Sequence, residues 1–133
     1  QGKNMSDNQL NPKSYRQPLE VTFTFPDYLQ LEINYRDVTM RELKASAESR
    51  AITRSNGDGG ILVNELVKES IVGATDIEGT AQKISTGDES IDIFMDKVGP
   101  KGRALLAQAY AHVNQPKGGD AAVFLATASA KVR

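Results

Sequence analysis

The chain has no cysteine and no tryptophan. The first absence rules out disulfides and thiolate metal sites. Nothing in the composition therefore calls for an oxidising compartment. There is one histidine, His112, so neither a zinc centre nor a histidine-based triad finds its usual complement. No serine sits in a nucleophile-elbow motif. Aromatic residues make up only 6% of the chain, too few for a convincing base-stacking surface. No apolar run approaches the roughly 18 residues that cross a bilayer. The N-terminus carries no hydrophobic signal region. The expectation is a soluble, cytoplasmic protein with no membrane partner and no cofactor.

What is present suits one folded domain. A chain of 133 residues can bury a core without staples. The formal net charge of −1 argues against nucleic acid as a partner. The charge is unevenly spread. Acidic residues outnumber basic ones over residues 19–99, whereas residues 100–133 carry Lys101, Arg103, Lys117, Lys131 and Arg133 against Asp120. That basic end reads as solvated surface before it reads as a site for an acidic partner.

Residues 1–18, rich in Asn, Gln, Lys and Pro, read as a flexible arm. Met5 reads as the natural start, with Gln1 to Asn4 as a cloning remnant. Residues 19–116 read as one α+β domain, and residues 117–133 as a C-terminal helix or tail.

Val21, Phe23 and Phe25 alternate with Thr22 and Thr24. After Pro26-Asp27, Leu29, Leu31, Ile33 and Tyr35 alternate with Gln30, Glu32 and Asn34. A period of two on both sides of a Pro-Asp turn predicts a β-hairpin. Thr39-Met40-Arg41-Glu42 has the spacing of a capping box and predicts a helix from Met40 to about Ile52. Ser55 to Gly60 breaks the chain. A second helix is predicted from about Ile61 to Val72, burying Ile61, Leu62, Leu66 and Ile71 and stopping at Gly73. Residues 74–87 read as loop, with a turn at Glu78-Gly79 that brings Ile77 and Ile84 together on short extended pieces. A third helix, Asp88 to Val98, and a fourth, Lys101 to Asn114, are separated by Gly99-Pro100. Asp120 is placed to cap an alanine-rich helix from Ala121 to Ala130. The predicted fold is α+β, an N-terminal β-hairpin packed on four to five short α-helices.

The sharpest local motif is a twelve-residue stretch, Arg54 to Glu65, that matches an EF-hand loop in part. Asn56, Asp58 and Glu65 stand at ligand positions, and Gly59 at the turn. Arg54 puts a cation where the first carboxylate belongs, and Leu62 offers no oxygen. A glycine-rich link between helices is the preferred reading, and a degenerate EF-hand-like calcium-binding or regulatory module the alternative. Asp88, Asp92 and Asp96 share a helix face, read as a wet surface. Gly99 to Arg103 lacks the spacing of a phosphate loop and reads as helix punctuation. Asp76 and Glu78 lie in a loop and do not specify acid–base work. Phe23, Phe25, Tyr28 and Tyr35 read as core. No nucleophile, base and stabiliser come together in the sequence, so no enzyme is expected.

The order of elements resembles that of bacteriophage tail-assembly chaperones and of short baseplate-associated tail proteins. The resemblance covers about residues 20–116. Its residues are Val38 to Leu43, Leu66 to Gly73, Phe94 to Leu106 and Ala109 to Pro116. It implies a non-enzymatic role in the bacterial host cytoplasm during assembly, or in the virion, with a protein partner: a helical tape-measure protein or another tail component. A homo-oligomer is left open. The expected partner-binding residues are Leu105, Leu106, Tyr110, Val123, Phe124 and Leu125, which are also core candidates.

Overall fold

The computed structural model describes residues 17–26 and 30–132. Most of the expected N-terminal arm, and Asp27 to Leu29 of the expected hairpin, lie outside them. The class is α+β, as expected. Strands β1 (Glu20–Thr24), β2 (Tyr35–Arg41), β3 (Ile71–Asp76) and β4 (Ala81–Lys83) form one antiparallel sheet in the order β1-β2-β3-β4. Helices α1 (Ala45–Ser55) and α2 (Gly59–Ser70) connect β2 to β3, and α3 (Ser90–Asn114) and α4 (Gly118–Val132) follow the sheet. Among the described residues no helix is long and apolar enough to cross a membrane.

The first strand is the expected one, but its partner is not. β1 pairs with residues 35–41, with Phe23 opposite Val38 and Val21 opposite Met40. Residues 30–34 form turns instead of the expected second strand. Their alternation is real burial without strand pairing: Ile33 is buried and Leu31 half-buried against the core. Glu32 adopts φ 57°, which breaks an extended run. In β2 a register shift between Tyr35 and Asp37 inserts one residue. Tyr35 and Val38, three apart, therefore both reach the core.

The expected capping box is a strand end. The Thr39 and Thr22 hydroxyls hydrogen-bond each other across the sheet at 2.9 Å. Glu42 Oε1 accepts from the Leu19 amide at 2.8 Å, and the Glu42 amide donates to the Leu19 carbonyl at 2.9 Å. The helix begins only at Ala45, after an extended Lys44. Burial of Val38 and Met40 on the sheet outweighs the local helix signal.

α2 ends two residues earlier than expected, and Ile71 and Val72 open β3. β3 and β4 form a second hairpin about the expected Glu78-Gly79 turn. Asp76 organises it, accepting from the amides of Glu78 and Thr80 at 3.0 and 2.9 Å.

The two helices expected on either side of Gly99-Pro100 are present as one kinked element, α3. Gly99 has φ 75° and ψ 172°, a region open essentially to glycine alone. Pro100 starts the second segment, where a missing N–H costs nothing. Arg103 Nη1 donates to the Met95 carbonyl at 2.6 Å and ties the two segments together. A Cβ on Gly99 would meet nothing within 4 Å, so any penalty there is backbone strain. Gly99→Ala is expected to cost about 1–3 kcal/mol. Urea melts followed by circular dichroism read this directly, and an unchanged midpoint would refute the strain account.

α3 packs across β1 and β2, and the core lies between them. Phe94, Val98 and Leu106 from α3 meet Tyr35, Val38 and Met40. Asn114 fastens the end of α3 to the end of β2. Its Oδ1 accepts from the Leu43 amide at 2.8 Å, and its Nδ2 donates to the Arg41 carbonyl at 3.3 Å.

Candidate protein-binding groove

β1 and the second half of α3 diverge enough to leave an apolar groove of about 340 Å³. Strand alternation puts Phe23 and Phe25 on the helix side of the sheet. Helical spacing brings Leu105, Ala109 and His112, at i, i+4 and i+7, to the opposing wall. Val38 and Leu106 close the floor, while Thr24, Pro26 and Gln108 complete the lining. The small Ala109 between Leu105 and His112 is what keeps the space open. His112 stands edge-on to Phe23, with ring centroids 6.0 Å apart.

The expected partner-binding residues separate into three groups. Leu106 and Tyr110 are buried in the core, Leu106 just reaching the groove floor. Tyr110 is therefore a core residue and not a surface contact. Burial, with the nearby Glu48 charge, raises its phenol above the usual range. Leu105 is half-buried and lines the groove wall. Val123, Phe124 and Leu125 are exposed on α4, Phe124 to 73%. None of these three lines the groove that Leu105 walls.

The EF-hand-like residues do other work. Asn56 ends α1 in a left-handed conformation. Asp58 caps α2, accepting from the amides of Gly60 and Ile61 at 2.9 and 3.0 Å. Because α2 starts at Gly59, Glu65 lies about two helical turns further on, roughly 10 Å along the axis. Its carboxylate is engaged there by Arg54 Nε at 2.6 Å and Lys68 Nζ at 3.1 Å. Among the described residues no cluster of His, Cys, Asp or Glu is grouped to hold a metal ion.

The buried face of α2 departs most from expectation. Ile61 is 46% exposed, whereas Glu65 and Glu69 are buried. These acids, one turn apart on α2, face Arg50 and Arg54, one turn apart on α1. Glu69 accepts from Arg50 Nη2 at 3.0 Å and from Arg54 Nη2 at 2.5 Å. Burial alone would raise the Glu69 carboxyl. The hydrogen bonds and charges of Arg50 and Arg54 outweigh it and hold the group below the usual carboxylate range. Glu65 is held low against the same burial by Arg54 and Lys68.

A second, more polar cavity of about 260 Å³ lies between Asn34, Tyr35, Asp76, Gln82 and Lys97. Tyr35 is raised there by burial and by the Asp76 charge. Asp76 is already engaged in the β3–β4 turn, which is a structural role.

Phe23, Phe25, Ala109 and His112 were not singled out by the sequence as binding residues. Their signal was divided between a strand and a helix some eighty residues apart. Compared with protein-family models, curated proteins and solved structures, the chain matches none.

Proposed function

We propose that this chain is a non-enzymatic assembly protein whose β1–α3 groove holds an apolar helical segment of a partner. The partner is of the tape-measure or other tail-component kind held by the phage tail-assembly chaperones it resembles, and the work is done in the cytoplasm of the infected host. The observation that carries the reading is the groove itself: aromatic and aliphatic walls, with polar groups confined to Thr24, Gln108 and His112. Apolar clefts with a few placed polar groups are where ligands and partner segments settle. An amphipathic helix laid into such a cleft is a recurring mode of recognition. The exposed Val123, Phe124 and Leu125 on α4 add apolar surface that a long partner would cover.

The test is co-expression of the full chain with a candidate tape-measure protein, followed by co-purification. Wild type is expected to retain the partner through mild washing. Ala109→Arg fills the groove from its rim, and is expected to weaken capture at least tenfold, about 1.4 kcal/mol. Circular dichroism of that variant checks that the fold is intact. No capture by wild type, or undiminished capture by a folded Ala109→Arg, contradicts the proposal.

A further inference from the structure

β1 is an edge strand: among the described residues it pairs with β2 on one side and with no strand on the other. The Phe25 amide donates to the Arg36 carbonyl, and the Glu42 amide to the Leu19 carbonyl. The odd-numbered residues of this strand thus direct their main-chain groups at β2. Glu20, Thr22 and Thr24 direct theirs away from the sheet. Natural edges are commonly guarded by a lysine, an internal proline, a bulge or a covering element. β1 has no lysine or proline, and its register with β2 is unbroken.

The edge is also self-complementary. Pro18 and Pro26 lie four residues on either side of Thr22, and Glu20 and Thr24 lie two on either side. We propose that two copies of this chain pair through β1, antiparallel about Thr22, and join two four-stranded sheets into one of eight. In that register Thr22 faces Thr22 of the second copy, a favourable cross-strand pair. Glu20 faces Thr24, so the two glutamates do not oppose each other. Each of the three outward residues offers both an N–H and a C=O to its opposite number. The next pair outward sets Pro18 against Pro26, and neither has an N–H to give. Pairing therefore stops at both ends. Sliding by two residues would set a proline against Glu20 or Thr24 and forfeit bonds.

The contact uses one patch twice, so it closes as a two-fold dimer and does not propagate into a fibre. It also sets both helix layers on the same face of the joined sheet, with the two grooves side by side. The pairing itself does not depend on what the groove binds.

Sedimentation equilibrium on the full chain, from about 1 to 100 μM, tests it over the range in which transient contacts dissociate. Wild type is expected to approach twice the chain mass at the upper end and the chain mass on dilution. Thr22→Lys places two ammonium groups together at the dyad and is expected to remain at the chain mass throughout. Thr22→Pro removes an N–H that faces away from its own sheet, along with the hydroxyl bond to Thr39, leaves the main-chain bonds of β1 to β2 in place, and is expected to do the same. If one variant fails to fold by circular dichroism, the other decides. Ala109→Arg, which leaves the edge untouched, is expected to dimerise as wild type does. A wild type at the chain mass across the range overturns the proposal. So do folded Thr22 variants that keep the wild-type mass.

Discussion

Phe94→Ala is expected to remove about 3–5 kcal/mol of folding stability. Phe94 is 1% exposed and is the largest fully buried side chain among the described residues. It sits on the first segment of α3, at the centre of the cluster that joins helix to sheet. Its ring lies 4.7 Å from that of Tyr35, tilted by 52°. Truncation loses the transfer free energy of the ring and opens a cavity, and it forfeits an aromatic pair worth about 0.5–1.5 kcal/mol. A domain of this size holds only about 5–15 kcal/mol in total, so the variant should be marginal at 25 °C. Phe124→Ala is the internal control. At 73% exposure on α4, its loss should move the free chain by no more than about 0.5 kcal/mol. Urea melts of the two variants should differ widely. Equal midpoints would mean that the core is not organised around Phe94.

Removing both arginines from the α1–α2 contact is the second large effect. The Glu69 side chain is 0% exposed, while that of Arg50 is 53% and that of Arg54 38% exposed. Removing the glutamate leaves two arginines that water can still reach. Removing the arginines leaves a carboxylate that water cannot reach. Arg50→Ala with Arg54→Ala is therefore expected to cost about 3–5 kcal/mol at pH 7, most of it the penalty of an unpaired buried charge. Adding Glu69→Leu to that pair should recover much of the loss, since an apolar side chain needs no partner there.

The pH dependence has opposite signs in the two proteins. In wild type, Glu65 and Glu69 are held below their unfolded values. Their contribution is present above the usual carboxylate range and is lost as pH falls through the lowered values. In the double arginine variant, burial acts on Glu69 unopposed and raises it. That variant should gain stability as pH falls from 7 towards the usual carboxylate range, where wild type gains none. Parallel pH profiles would refute the assignment of Glu69 as a buried, arginine-held charge.

How far these features could be read from the sequence depends on how local their causes are. The alternation of β1 and the apolar spacing of α3 were legible because one face of each is turned from solvent, half-buried at Val21 and Phe23 and buried at Ile91, Phe94, Val98, Leu106 and Val113. The Gly99-Pro100 break was legible because glycine and proline act on their own backbone. Thr39 to Glu42 misled because the same four residues satisfy a helix cap or a strand end. The choice is made by Thr22 and Leu19, some twenty residues away. Arg50 and Glu69 drew no notice, and Arg54 and Glu65 entered only as the ends of the EF-hand-like stretch, because a buried charge shows in sequence only once its partner is known. The groove needs Phe23 from β1, Phe25 just beyond it and a small Ala109 on α3, and no single segment shows a cleft. The core at Leu106 and Tyr110 and the exposed Val123 to Leu125 read alike for a related reason. Apolar spacing on a helix does not say whether the opposite surface belongs to the same chain.

The groove is tested most directly by calorimetric titration of the full chain with the helical segment of the co-purified partner. The account predicts saturable binding by wild type, at least tenfold weaker binding by Ala109→Arg, and unchanged binding by Gly99→Ala at a temperature where that variant is folded. Equal affinity for wild type and Ala109→Arg would place the partner elsewhere and contradict the account.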